Sequence, residues 1–233
     1  MTAHRDRLIV ALDLPSLTEA ETTVALLGEH VSTYKIGYQL LPLGGYDLAR
    51  RLYDRGKRVF VDAKLYDIGA TVERGVRSIV QNGATMVTVH SDPDTIDGAV
   101  RGRGDAALDI LAVTVLTSWD QATLAAHGLD TSVDELVLRR AELAAKHGAD
   151  GVIASAREAV MIRKRFGTRL KIVTPGIRPI GGDANDQKRV TTPAMAIHDG
   201  ADALVVGRPI VAATSPVAEA VKIVNEIAAV AER

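Results

Sequence analysis

The segment Asp62-Ala63-Lys64-Leu65-Tyr66-Asp67 closes the apolar run Val59-Phe60-Val61 and sets two carboxylates and an ammonium where a strand should emerge from a core. In an extended chain residues two apart share a side, so Asp62 and Lys64 project together. A second β-like segment, Tyr34-Lys35-Ile36, carries another cation, Lys35. If both strand ends face one cavity, charges of opposite sign alternate there. Such an array perturbs pKa values and suits proton transfer. Solvated turns and weak surface ion pairs contain the same residue types, so the meaning of the pattern depends on what the rest of the chain places around it.

Short β-rich runs alternate with helical patterns along the whole chain. The runs are Leu8–Asp13, Thr33–Ile36, Arg58–Asp62, Met86–His90, Ile110–Leu116, Gly151–Ala154, Lys171–Thr174 and Ala203–Val206. Between them lie helix signals: Ser/Glu capping boxes at Ser16 and Glu19, Ser132 and Glu135, and Ser155 and Glu158, and Pro after Thr or Ser at Thr192-Pro193 and Ser215-Pro216. A helix is expected from about Thr71 to Asn82 and a short one after Asp94. Eight βα units in 233 residues match an α/β (β/α)₈ TIM barrel. No linker or composition shift divides the chain, so residues 1–233 read as one domain. A doubly wound open sheet is the alternative, and no G-x-G-x-x-G turn follows the first strand to support it.

Composition agrees with a covered parallel sheet. Hydrophobic residues are 47% of the chain and aromatics only 3%, so the core must be built from Val, Leu, Ile and Ala. Twenty-eight basic residues against 29 acidic ones give a net charge of −1, which argues against a general nucleic-acid binder. Without cysteine there is no disulfide and no thiolate–metal site. The charged start Met1–Arg7 and the apolar run Leu8–Leu12, broken at Asp13, are too short for a signal peptide, and no run reaches membrane-spanning length. A cytoplasmic protein is expected.

Barrel active sites lie at the carboxyl ends of the strands. The polar residues predicted there are Asp13, Lys35, Asp62, Lys64, His90, Thr117 and Arg208. The loops after strands seven and eight often bind phosphate. Here they read Thr174-Pro175-Gly176-Ile177-Arg178-Pro179 and Val206-Gly207-Arg208-Pro209, with glycines for close approach and two arginine forks for an anion. Between them the polar run Ile180–Gln187 reads as a lid over a bound phosphate.

The segments D-x-K-x-x-D-I at Asp62–Ile68, V-T-V-L-T-S at Val113–Ser118, T-P-G-I-R-P at Thr174–Pro179, D-Q at Asp186-Gln187 and V-G-R-P at Val206–Pro209 resemble those of the orotidine 5′-monophosphate decarboxylase family. The resemblance implies a homodimeric barrel that makes UMP with neither metal nor organic cofactor. It implies Lys64 as proton donor to C6 within a Lys35/Asp62/Lys64/Asp67 network. Asp13 would hold ribose hydroxyls, Thr117 the pyrimidine edge, and Gln187 would bridge base and phosphate. Arg208, the Gly207 backbone and Arg178 would hold the phosphate, and Asp67 and Thr71 would reach the neighbouring subunit's site.

The chain departs from many members at Ala63, Tyr66, Gly69 and Ala70, where they carry Leu, His, Pro and Asn, and at Ser91-Asp92-Pro93. These changes bear on loop conformation and subunit contacts more than on chemistry. The nearest rival reading is a sugar-phosphate relative, a 3-keto-gulonate-6-phosphate decarboxylase or hexulose-phosphate synthase, which shares D-x-K-x-x-D but carries a Mg²⁺-binding carboxylate where this chain has Lys35. A non-catalytic phosphate-binding regulator would have no need of Lys64 or Asp67.

Overall fold

Runs of Val, Ile and Leu cannot satisfy their backbone groups alone. In the computed structural model, which describes residues 2–179 and 191–231, eight of them pair into a closed, all-parallel barrel in chain order. The strands are β1 (Leu8–Ala11), β2 (Thr33–Ile36), β3 (Arg58–Leu65), β4 (Met86–His90), β5 (Asp109–Val113), β6 (Gly151–Ile153), β7 (Lys171–Thr174) and β8 (Ala203–Val206). β8 returns to β1 through Leu8 opposite Leu204, which closes the ring. Around it lie α1 (Thr2–Arg5), α2 (Leu17–Leu27), α3 (Gly45–Asp54), α4 (Gly69–Gln81), α5 (Pro93–Arg103), α6 (Gln121–Ala126), α7 (Val133–Lys146), α8 (Ala156–Phe166), α9 (Pro193–His198), α10 (Arg208–Val211) and α11 (Pro216–Ala231). Among the described residues no helix is long and apolar enough to cross a membrane.

The strand ends differ from expectation in an informative way. β1 stops at Ala11 and β5 at Val113, before Asp13 and Leu116, whereas β3 runs on to Leu65. β3 and β4 are in register at Val61 opposite Val87 and again at Leu65 opposite Val89. Four residues of β3 therefore match two of β4, and the excess is taken up by a bulge at Asp62-Ala63-Lys64. Helix starts move as well: α4 begins at Gly69 rather than Thr71, and α5 begins at Pro93, because the Asp92 side chain caps it by accepting from the Thr95 N–H at 3.0 Å.

Alternation along each strand divides the core in two. Ile9, Ala11, Phe60, Met86, Leu111, Val173 and Val205 fill the barrel interior, while their strand neighbours pack outward against the helices. At the amino end of the barrel, polar residues that immediately precede the even strands tie the odd ones down. Thr85 Oγ1 accepts from Val59 N–H at 3.1 Å, Asp150 Oδ2 from Ile110 N–H at 2.8 Å and Asp202 Oδ2 from Ile172 N–H at 2.7 Å. Arg103 and Arg163 complete the latter two, each 2.6 Å from its carboxylate. These charges serve backbone and one another.

Helices α4 and α5 approach through glycine. A Cβ on Gly98 would stand 2.3 Å from the Gly69 carbonyl oxygen, far inside contact distance and against backbone that cannot swing away. Overpacking of this kind costs about 1–3 kcal/mol. Gly98→Ala should therefore lower the thermal midpoint by roughly 2–12 °C for a domain of this size. Circular dichroism melting checks it, and an unchanged midpoint would mean that the two helices separate freely.

Candidate active site

The inner face of the barrel is apolar up to Ala11, Phe60 and Met86, and one step further along β1, β2, β3 and β4 it turns polar with Asp13, Lys35, Asp62 and Thr88. Lys35 Nζ lies 3.0 Å from Asp13 Oδ1 and 3.5 Å from Asp62 Oδ2. Lys64 Nζ lies 2.8 Å from Asp62 Oδ1. The order is thus carboxylate, ammonium, carboxylate, ammonium. Side-chain exposure runs 51% for Asp13, 10% for Lys35, 14% for Asp62 and 25% for Lys64, so water reaches the two ends and hardly the middle.

Burial alone would push the Asp62 carboxyl up. The ammonium groups of Lys35 and Lys64, with hydrogen bonds from Lys64 and Thr88, outweigh it and hold the group below the usual carboxylate range. Asp62 is therefore an anion over the whole neutral range. Asp62 and Lys64 both stand in the β3 bulge, where Lys64 has φ +42°, the one non-glycine with positive φ among the described residues. Tyr38, from the loop after β2, donates to the Ala63 carbonyl at 3.0 Å, and its ring lies 5.6 Å from Lys64 Nζ.

The other expected residues divide. Gly207 sits beside Asp13: a Cβ there would lie 3.7 Å from Asp13 Oδ2, so the end of β8 meets the end of β1 at the basin. Arg208 opens α10 and is exposed. Arg178 is buried at 8% exposure, donates from Nη1 to the Ile177 carbonyl at 2.9 Å, and accepts its place from a bridge between Ile177 and Thr191. Thr117 stands exposed in the turn after β5. Gln187, with Asp186 and the expected lid Ile180–Gln187, lies outside the described residues. Asp67 is exposed, and among the described residues its carboxylate accepts only a local bond, from Ile68 N–H at 2.7 Å. Among the described residues no cation of this chain pairs with it, and Asp13 stands as the fourth member of the chain's own array. Thr71 is exposed nearby on α4.

One sequence departure, Gly69, makes a contact that the proline of many family members could not. Gly69 N–H donates to Asp94 Oδ2 at 2.6 Å, and a Cβ on Gly69 would fall 2.5 Å from Asp94 Oδ1. Proline at 69 has no N–H and could not make this bond. Thr95 Oγ1 adds a bond to the Asp67 carbonyl at 3.2 Å. The loop bearing Asp67 is thus tied to the start of α5 by residues that follow Ser91-Asp92-Pro93.

Thr88 and Arg140, in the site region, carried no sequence signal of their own. Thr88 bonds Asp62, and Tyr66 packs on His90 with ring centroids 4.9 Å apart. Arg140 of α7 donates to the Thr114 carbonyl and lies 6.0 Å over the Trp119 ring, which stacks on His127 at 4.6 Å. These contacts brace the turn that presents Thr117. Only pairing across the barrel could reveal them. A cavity at the opposite, amino end, lined by Arg58, Arg103, Asp109, Asp150 and Lys171, holds ion pairs of its own and none of the basin residues.

Burial and then the nearby charges of Arg140 and Lys64 push His90 below its ordinary value, against a weaker opposing pull from Asp92. The folded protein therefore prefers His90 neutral. A lowered histidine favours folding above its unfolded pKa of about 6.5, and that contribution is lost as pH falls through the folded value. His90→Gln should show a smaller drop in thermal midpoint than the parent between about pH 7.5 and 5.5. Equal drops would mean that His90 charges without penalty.

The chain is similar to known proteins over nearly its whole length. A family model described as "Orotidine 5'-phosphate decarboxylase / HUMPS family" matches residues 6–223. A protein of Rhodopseudomonas palustris (strain BisA53) named "Orotidine 5'-phosphate decarboxylase" is 55% identical over 223 residues, 96% of this chain and 95% of its own length. One of the same name from Methylorubrum extorquens (strain PA1) is 55% identical over 96% of each. A crystal structure titled as the orotidine 5'-phosphate decarboxylase of Lactobacillus acidophilus superposes with a TM-score of 0.84 at 34% identity, covering 95% of this chain and 99% of that one.

Proposed function

The chain belongs to the orotidine 5'-phosphate decarboxylase / HUMPS family, and within it we propose that this protein converts orotidine 5′-monophosphate to UMP and CO₂ in pyrimidine biosynthesis. The observation that carries the choice within the family is Lys35, whose ammonium stands between Asp13 and Asp62. A divalent cation bound by Asp62 would be repelled there, which disfavours the Mg²⁺-dependent sugar-phosphate reactions and supports a reaction with neither metal nor organic cofactor.

The chemistry follows from charge placement. The bond from C6 to the carboxylate breaks and its electron pair stays on C6, a vinylic carbanion with little resonance help. Stabilisation must be electrostatic, and Lys64 supplies a positive charge beside C6 and then the proton that replaces CO₂. Its neutral amine regains a proton from solvent. Asp62 beside the substrate carboxylate adds a repulsion of about 1–4 kcal/mol at ~4 Å, depending on the local dielectric. Lys64 and the preorganised array take the larger share. In this reading Asp13 holds ribose hydroxyls, Thr117 the pyrimidine edge, Gln187 base and phosphate, and Gly207, Arg208 and Arg178 the phosphate.

The site is read as shared across a homodimer, with Asp67 and Thr71 entering the neighbouring basin. Support comes from the lack of a cation partner for Asp67 among the described residues of its own chain. It also comes from Tyr38, Tyr66, Ile68 and Leu116, exposed at 63, 68, 67 and 41% on the loops around the basin. A single barrel domain over residues 1–233 and a cytoplasmic setting complete the proposal.

Loss of orotidylate absorbance, followed in the presence of a chelator, tests the reaction. The parent should turn over undiminished. Lys64→Ala should stay folded, bind UMP and lose nearly all activity. A chelator-sensitive parent would move the assignment to the metal-dependent relatives, and a Lys64→Ala rate within about tenfold of the parent would remove Lys64 from the proton transfer.

Mixing experiments test the shared site. Lys64→Ala and Asp67→Asn homodimers should each be nearly inactive. After equal mixing half the dimers are mixed, each with one doubly damaged and one intact site, so activity should return to roughly a quarter of the parent's. Tagging one variant shows that subunits have reassorted. Mixed dimers without recovered turnover would place Asp67 in its own chain's site.

A further inference from the structure

Where β3 bulges, the ladder to β4 is interrupted, and Asp62, Ala63 and Lys64 together face the one residue between Val87 and Val89. That residue is Thr88, fully buried on the inner face of the barrel. Its hydroxyl accepts from the Lys64 backbone N–H at 2.9 Å and donates to Asp62 Oδ1 at 2.8 Å, the same oxygen that Lys64 Nζ reaches at 2.8 Å. A backbone N–H can only donate and an ionised carboxylate can only accept, so the direction of both hydroxyl bonds is determined. One hydroxyl thereby holds the backbone of one charged residue and the side chain of the other.

We propose that Thr88 is a positioning residue for the reaction, setting both the backbone of Lys64 and the orientation of the Asp62 carboxylate. Without it, Lys64 keeps its left-handed backbone with no partner for its N–H, and Asp62 is free to rotate about its remaining contacts with Lys35 and Lys64. A threonine at this point supplies what the broken ladder cannot: a donor and an acceptor on one atom, at the reach of a side chain rather than of a strand. A valine of the same shape supplies neither. The inference rests on the proposed decarboxylation, and it concerns turnover rather than ligand affinity, because Thr88 lies beneath the charged array.

The test compares Thr88→Val with Thr88→Ser in the full chain. The valine variant should lose at least tenfold in kcat with UMP binding within threefold of the parent, and the serine variant should stay within threefold in both. The acid limb of kcat/KM should move to higher pH in the valine variant alone. Asp62 there loses one donor while Lys35 and Lys64 still face it and Asp13 stands beyond Lys35. The Lys64 amide should exchange with solvent slowly in the parent and serine variant and fast in the valine variant. A valine variant with kcat within threefold, an unmoved acid limb or a still protected Lys64 amide would overturn the proposal. So would a folded serine variant reduced more than tenfold, which also decides the matter if the valine variant does not fold. A parent that does not decarboxylate orotidylate would refute the proposed reaction, and the amide exchange would still decide whether Thr88 positions Lys64.

Discussion

Everything at the strand ends depends on keeping Asp62 ionised where little water reaches it. An isolated carboxylate so placed would take up a proton, since the desolvation penalty far exceeds what one hydrogen bond returns. Two ammonium groups and a hydroxyl reverse that balance. The four-member array sums to zero charge, which lets the barrel hold it without a large self-repulsion, while its order puts positive charge at Lys64 and negative charge at Asp13. The apolar floor of Phe60, Met86 and Ala11 offers no competing dipoles, so the field of the array is directed toward the open end.

The two ends of the barrel use the same residue types to opposite effect. At the amino end Asp150 and Asp202 each accept a strand N–H and one arginine on the same oxygen, which commits them to the backbone. At the carboxyl end Asp62 and Lys64 bond mainly to each other and to a neighbouring side chain, and Lys64 Nζ retains donors pointing at solvent. Backbone service fixes strands. Side-chain pairing around a basin leaves capacity for chemistry.

Much of this was legible in the chain itself. Eight β-rich runs with caps between them imply the barrel, and the barrel rule turns Asp13, Lys35, Asp62 and Lys64 into neighbours although they lie up to 51 positions apart. What was not legible depends on cross-strand register. Read as a regular strand, Arg58–Asp62 ends where the bulge begins, and the length of β3 follows only from its pairing with β4. Thr88 looks like any β-branched strand residue until Asp62 is seen opposite it. Gly69 looks like a lapse from the family pattern in sequence, yet Asp94 fills the space that the missing side chain at 69 leaves. The glycine accommodates the carboxylate, so it is no fault in the pattern.

The left-handed backbone at Lys64 has an evolutionary reading. Any residue with a Cβ is strained there by about 1 kcal/mol or more relative to glycine, and asparagine would also sit more easily. Selection for folding efficiency alone would steadily replace lysine at this point. Its presence marks a position where backbone comfort has been overruled, and in a collection of stabilised variants it is among the first places where gains in robustness would come with a silent site.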